Sequence, residues 1–329
     1  MTDKTNILLI NFGGIGDEIL FLPVVLSLKK EFPDSHITLA LESRSEGIKY
    51  LTNKIDYFLP IDIKSKNKFL ETLKLLFNAW ITPYDIVISS GSNKLIPILL
   101  FLTWIKTKIG YDSGELSRKL LTHAVKLNKN QYAALMYHDL VSPLTNNQAN
   151  LPQIDIKKSE IIKNLILIHP GVSRISIEKG IIKTITPEIW AEIIKKLVKE
   201  GKNVKLIGGP DDKECIEKIS ELCKDTKFEN LYGQTKNLKD LAKLISGAEK
   251  FVCSDSAPLH IAVALGIKTY AIFGPTDDKK LAPPDVVALK TSDACPLKPC
   301  LWEKRNTTCE NPICLKFNSD DIVHKILNE

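Results

Sequence analysis

Long apolar runs are missing from this chain of 329 residues. The longest, Leu95 to Ile105, has 11 residues with Pro97 inside it, against the roughly 20 that a membrane-spanning helix needs. It reads as a buried helix, with contact of part of it to a membrane surface as the alternative. A secretory leader is missing as well: Met1 to Asn6 leads directly into the strand-like Ile7-Leu-Leu-Ile10, with no cleavage site. Both absences predict a soluble cytoplasmic protein. A strong basic excess is lacking too. The net charge is +6 and aromatics make up 7% of the chain, which fits an anionic substrate or an acidic membrane surface and argues against a nucleic-acid partner. Closely spaced Cys-x2-Cys pairs are also lacking. Of the seven cysteines, Cys215, Cys223 and Cys253 fall in predicted helices or strands and read as reduced core thiols. Cys295, Cys300, Cys309 and Cys314 are spaced more loosely than structural zinc ligands. They read as packing thiols and no metal is expected, a metal site being the lesser alternative.

A spaced Gly-x-Gly-x-x-Gly fingerprint is the last absence. The glycines after the first strand are Gly13, Gly14 and Gly16, and Glu42 is the nearest acid at the end of the second, so a dinucleotide-dependent dehydrogenase is disfavoured. What is present is a chain 44% hydrophobic and 26% charged, able to bury sizeable cores and too long for one ordinary domain. Strand and helix patterns alternate, which argues for parallel sheets covered by helices. In the first half, strands are predicted at 7–11, 37–41, 55–61, 86–89 and 108–111, with helices at 17–30, 68–80 and 94–106. Asn146 to Lys158 has a linker's composition, polar with Pro152. A second series follows, with strands at 165–169, 204–207, 250–253 and 269–273, helices at 187–200, 212–224 and 237–246, and a final helix at 319–327. These are two αβ halves, 1–157 and 158–329, each Rossmann-like, and such sheets bind ligands at the carboxyl ends of their strands.

Three turns in the second half stand at such ends: Pro170-Gly171-Val172-Ser173, Gly208-Gly209-Pro210-Asp211, and Asp255-Ser256-Ala257-Pro258-Leu259-His260. The third opens a helix whose first amides and dipole suit an anion such as phosphate, with His260 in the first turn; the plainer reading is a helix capped by Ser or Asp. Together the three could cradle a nucleotide diphosphate, with Lys183 as a candidate cation that spacing alone does not set apart from other lysines. In the first half, Asp17 follows the glycine turn. It reads either as a cap at a helix start or as a general base held where substrate can approach the backbone closely.

These segments resemble glycosyltransferase family 9, the bacterial heptosyltransferases. Gly16-Asp17 with Leu22-Pro23 is similar to the family's opening, and Tyr84 to Ile88 through Ile109-Gly-Tyr-Asp112 to its third strand and the strand after it. His169 to Ser173 resembles its Pro-Gly-Ala-Ser turn, Leu231 to Thr235 its Leu-x-Gly-x-Thr segment, and Asp255 to Gly266 with Phe273 to Thr276 its Asp-Ser-Gly-x-x-His segment and Phe-Gly-Pro-Thr. The resemblance implies an α/β GT-B fold, two Rossmann-like domains facing across a cleft, with acceptor on the first and nucleotide sugar on the second. It implies a cytoplasmic enzyme, with peripheral contact at the inner membrane as an option. The reaction implied is inverting transfer from an ADP-sugar, ADP-heptose in type, to a lipopolysaccharide or related glycolipid acceptor, without a required cofactor or metal. Asp17 would be the base, beside Gly13, Gly14 and Gly16. Ser173, Lys183, Gly208, Gly209, Asp255, Ser256, Ala257 and His260 would surround the nucleotide. The last helix is a candidate to pack back on the first domain. The chain departs from the family's Lys-Arg-Trp-Pro at Lys183-Thr-Ile-Thr186, and from its Asp-Ser-Gly at Ala257-Pro258. The Lys64 to Trp80 segment, rich in lysine, fits either an acidic acceptor or a solvated helix face. Two alternatives stay open: a non-catalytic nucleotide-sugar binder and a GT-B-type sugar-nucleotide epimerase.

Overall fold

A computed structural model describes residues 4–173, 176, 178–291, 295–301 and 309–329. The chain divides into two compact units, Met1–Asp155 and Ile156–Glu329. The division falls two residues before the end of the first half as expected from the linker.

The first unit contains β1 (Asn6–Ile10), α1 (Ile15–Glu31), β2 (His36–Leu41), β3 (Tyr57–Pro60), α2 (Lys68–Ile81), β4 (Ile86–Ser89), α3 (Ile96–Leu102), β5 (Thr107–Tyr111), α4 (Glu115–Leu120), β6 (His123–Val125) and α5 (Ala133–His138). The second contains β7 (Ile162–His169), α6 (Pro187–Lys199), β8 (Asn203–Leu206), α7 (Lys213–Leu222), β9 (Glu229–Asn230), α8 (Leu238–Ser246), β10 (Ala248–Ser254), α9 (Ala257–Leu265), β11 (Lys268–Ile272), α10 (Asp278–Leu281), β12 (Val287–Leu289) and α11 (Ser319–Asn328).

Each unit is built on a parallel six-stranded sheet, ordered β3-β2-β1-β4-β5-β6 in the first and β12-β11-β10-β7-β8-β9 in the second. Both have the same doubly wound order, which reverses direction between β1 and β4 and again between β7 and β10. The central strands are covered on both faces, so they read as unbroken apolar runs and not as alternations. Ile7, Leu8 and Leu9 are fully buried, as are Phe251, Val252 and Cys253. In the second unit Trp190, Ile193, Ile194 and Leu197 of α6 pack with Ile216 and Ile219 of α7.

Three features differ from the sequence expectation. The helix expected over 94–106 is confined to Ile96–Leu102, because Trp104 adopts a left-handed backbone (φ 59°) that ends it. Segments α4, β6, α5, β9, α10 and β12 were not anticipated; each has two to six residues, too few to show a period. The last helix packs within its own unit: Ile322, Val323 and Ile326 join the core around α6, and Lys196 of α6 donates to Ser319 (2.9 Å) and Asp320 (2.5 Å).

Candidate active site

The glycine turn after β1 is shaped around Asp17. The Gly14 N–H donates to Asp17 Oδ2 at 2.8 Å, so the third helical residue reaches back to the N-cap amide at the start of α1. A Cβ on Gly13 would lie 2.2 Å from Asp17 Cβ, so only glycine fits there. The other carboxylate oxygen, Oδ1, accepts from the Tyr137 hydroxyl at 3.4 Å. Burial, and then the Asp17 charge, push the Tyr137 phenol well above its ordinary range, so it remains a donor. Asp17 therefore ties one oxygen to the helix start, as the plainer reading held, and among the described residues its other oxygen has only the phenol as partner.

Other polar groups gather on this turn. Asn11, at the end of β1, donates through Nδ2 to Glu18 Oε2 at 2.9 Å and pairs with the Ser90 hydroxyl beyond β4. Burial lifts the Glu18 carboxyl well above the usual glutamate range. Ser45 donates to the Gly13 carbonyl (3.0 Å) and Lys64 to the Phe12 carbonyl (2.5 Å). Arg44 and Lys64 both pair with the buried Glu42, at 3.0 and 3.2 Å. These residues stand at the carboxyl ends of β1, β2, β3 and β4, around the first reversal of strand order. Asn11 adjoins the glycines and was within reach of a sequence reading. Tyr137 is 120 residues from Asp17, and nothing local signals their meeting.

In the second unit the turns after β7 and β10 meet at the second reversal. The Ser254 hydroxyl donates to Thr184 Oγ1 (2.7 Å) and lies 2.9 Å from the Pro170 carbonyl. Thr184 donates to the same carbonyl at 2.7 Å and accepts from Trp190 Nε1 at 3.1 Å. This network fixes the segment that carries Lys183, whose ammonium sits 3.1 Å from Asp255 Oδ2. The segment's departure at Thr184 thus has a structural part to play. Asp255 is buried and lies two residues before the start of α9.

The N-terminus of α9 has Ser256 as N-cap with no side-chain capping bond. By contrast α8 is capped by Asn237, α10 by Asp277 and α11 by Asn318. Capping by the Ser256 or Asp255 side chain does not occur, because Ser256 Oγ turns back to the Ser254 carbonyl (3.4 Å) and Asp255 holds Lys183. Pro258 has no N–H, and Leu259 donates to the Ser256 carbonyl at 3.0 Å. The Ala257 amide is then the first donor of the helix. His260 lies buried one turn in.

Gly208 and Gly209 repeat the first unit's device. The Gly209 N–H donates to Asp212 Oδ2 at 2.7 Å, and a Cβ on Gly208 would lie 3.1 Å from Asp212 Cβ. Asp212 in turn lies 3.4 Å from His169 Nε2. Pro170, Gly171, Lys183, Thr184, Asp211 and Asp212 help line a cavity of about 380 Å³. Ser173 is exposed at the rim of the same turn, its hydroxyl 3.0 Å from that of Ser176; part of the loop that follows, including residues 174, 175 and 177, lies outside the described residues. A depression of about 570 Å³ beside β6 touches none of these turns.

Cys295, Cys300, Cys309 and Cys314 line one small pocket. Burial and the neighbouring thiols push Cys300 and Cys314 upward. Among the described residues no group of three or more His, Cys, Asp or Glu is placed to hold a metal ion.

The model of glycosyltransferase family 9 (heptosyltransferase) matches residues 82–309, which is more than half of the chain. The chain belongs to this family. This glycosyltransferase is 26% identical over 283 residues to lipopolysaccharide heptosyltransferase 3 of Escherichia coli, covering 80% of this chain and 81% of that protein. It is 25% identical over 308 residues to lipopolysaccharide heptosyltransferase 2 of Salmonella typhimurium, covering 82% and 83%. Among solved structures, the E. coli ADP-heptose lps heptosyltransferase II superposes with a TM-score of 0.72 at 19% identity over 98% of both chains. The family 9 glycosyl transferase of Veillonella parvula does so with 0.70 at 22%, over 87% of this chain and 85% of that one. The fold of the enzyme is accordingly the two-domain α/β GT-B fold.

Proposed function

We propose that this glycosyltransferase is an inverting heptosyltransferase of lipopolysaccharide core assembly, taking heptose from an ADP-heptose-type donor. The names of its relatives supply the sugar and the pathway; the geometry at Asp17 carries the mechanism. One oxygen of that carboxylate is tied to the Gly14 amide, which fixes its orientation. The other meets a phenol that stays protonated, leaving lone-pair capacity for an acceptor hydroxyl. In the proposed step Asp17 takes the acceptor's proton as its oxygen attacks the anomeric carbon, and the bond from that carbon to the diphosphate oxygen breaks. ADP leaves with the added negative charge on its β-phosphate. Lys183 and the uncapped start of α9 suit that charge. The proposed base belongs to the first unit and the anion site to the second. Ser173, Gly208, Gly209, Ser256, Ala257 and His260 complete the proposed nucleotide pocket, the glycines through close backbone approach since the Gly209 amide is already taken. No step needs a metal. The acceptor is a phosphorylated or acidic glycolipid, in keeping with Arg44 and Lys64 beside the turn.

Asp17→Asn tests this, because asparagine can still accept from the Gly14 amide and preserve the helix start. Turnover of ADP-heptose should fall by about 10²- to 10⁴-fold while ADP affinity, measured by calorimetry, stays unchanged. Unaltered turnover would reduce Asp17 to a cap.

A further inference from the structure

The first unit turns an apolar face to solvent along α2. On a helix of 3.6 residues per turn, Phe69, Leu70, Leu73, Phe77, Trp80 and Ile81 fall within one continuous arc. All six are exposed, Phe69 at 70% and Phe77 at 60%. The opposite arc, Leu75, Leu76 and Ala79, is the buried one. This helix therefore shows apolar side chains on an exposed arc as well as on its buried one, where a helix packed on a soluble domain is polar outside. The face continues onto α3 and the residues that follow it. Trp80 stacks on Trp104 with ring centroids 5.3 Å apart, and Trp80 Nε1 donates to the Leu102 carbonyl at 2.9 Å. Leu95, Phe101 and Leu102 are exposed beside them. Trp104 is 75% exposed and holds a left-handed backbone that bulky residues rarely adopt. A strained tryptophan kept in water calls for a partner outside the chain.

Charge identifies the partner. Residues 64–81 carry four lysines and one glutamate, and residues 94–108 carry three lysines and no acid. Their joint excess equals the net +6 of the entire chain, so the remainder is balanced. A second copy docking through the same patch would bring these excesses face to face, which opposes a two-fold contact. An anionic lipid surface would attract them, take the apolar side chains among its acyl chains, and seat the indoles at the headgroup level. We infer that the α2–α3 face is a membrane-docking surface for anionic phospholipid bilayers. It binds in the interface plane without crossing, since among the described residues no helix is long and apolar enough to span. Lys64 stands where this surface reaches the Asp17 turn, through its bond to the Phe12 carbonyl. A lipid-bearing acceptor would thus be met at the membrane by the unit that holds the base.

Sedimentation with vesicles tests the surface with neither donor nor acceptor present, so its outcome is independent of the proposed reaction. The full-length protein should pellet with phosphatidylglycerol–phosphatidylethanolamine vesicles, with a blue shift in tryptophan emission. It should pellet far less with pure phosphatidylcholine, and binding should weaken as salt is raised. The double variant Phe69→Ser/Phe77→Ser should lose about tenfold or more in partition and keep its thermal midpoint, both side chains being solvent-exposed. Lys66→Gln/Lys68→Gln, a milder change, should weaken binding to the anionic vesicles only. Protein that stays in the supernatant at low salt, or variants that bind as the wild type does, would overturn the inference. So would a dimer in solution that Phe69→Ser/Phe77→Ser converts to monomer, since that would make a second copy the occupant.

Discussion

Asp17 and Glu18 are adjacent carboxylates in different circumstances. Asp17 is partly open and bonded to an amide and a phenol, whereas Glu18 is 1% exposed and bonded to Asn11. Burial is the largest influence on Glu18 and raises it; the Asn11 bond opposes this, and the Asp17 charge adds to it. An unfolded glutamate releases its proton near 4.5, while folded Glu18 keeps it to higher pH. In that window the folded state binds more protons than the unfolded one, so stability falls as pH rises from 4.5 through the raised folded value. Glu18→Gln removes the titration and preserves an acceptor for Asn11. Its thermal midpoint should vary less between pH 5 and pH 8 than the wild type's, and at pH 8 it should be the more stable of the two. Identical profiles for the two proteins would show that Glu18 is not held protonated. At this scale Asp17 was legible from its place after a glycine turn. Glu18 was not, because a helix-start glutamate looks the same whether its side faces water or a sheet.

The recurring element is a strand that ends in paired glycines followed by an aspartate, with the second glycine's amide bonded to that aspartate. It occurs at Gly13-Gly14 with Asp17 and at Gly208-Gly209 with Asp212. The glycines announce turns in the sequence, and both were read there as ligand contacts. The structure adds an internal reason for them, since each aspartate crowds the first glycine of its pair. Asp212 also crowds Gly171 from another turn, where a Cβ would come within 1.8 Å of Asp212 Oδ1. Gly171→Ala should therefore destabilise the protein by about 1–3 kcal/mol, read as a lower midpoint in chemical denaturation with unchanged slope. A neutral result would mean that the Asp212 carboxylate moves freely. The short elements at the sheet edges, such as β9 and β12, are set by neighbouring strands that supply their hydrogen bonds, and their own residues carry little preference.

Over the whole molecule, two sheets of the same strand order place two polar clusters at two reversals of order, one acidic at its centre and one presenting an ion-paired lysine and a helix start. If the second binds ADP, ligand should raise the thermal midpoint, because a ligand that binds only the folded state stabilises it by about 2.7 kcal/mol at a concentration of 100 Kd. Lys183→Ala should reduce that rise and weaken ADP binding about tenfold or more, the loss of one charge-assisted contact. An equal rise in both proteins would remove Lys183 from the nucleotide site.

The αβ alternation, the doubly wound class, the glycine turns and the candidate site at strand ends depend on residues a few positions apart, so they can be read along the chain. The family resemblance rests on the same local segments. Which groups face one another is a different matter. The Tyr137 bond to Asp17, the Ser254–Thr184 network under Lys183, the placement of the last helix on α6 and the joining of α2 to α3 through Trp80 and Trp104 all link elements separated in sequence. Such contacts arise only when parallel strands bring distant turns to one edge and packing settles which side of each helix is covered, so burial and partner, and with them the protonation of Glu18 and the exposed face of α2, follow from the folded arrangement.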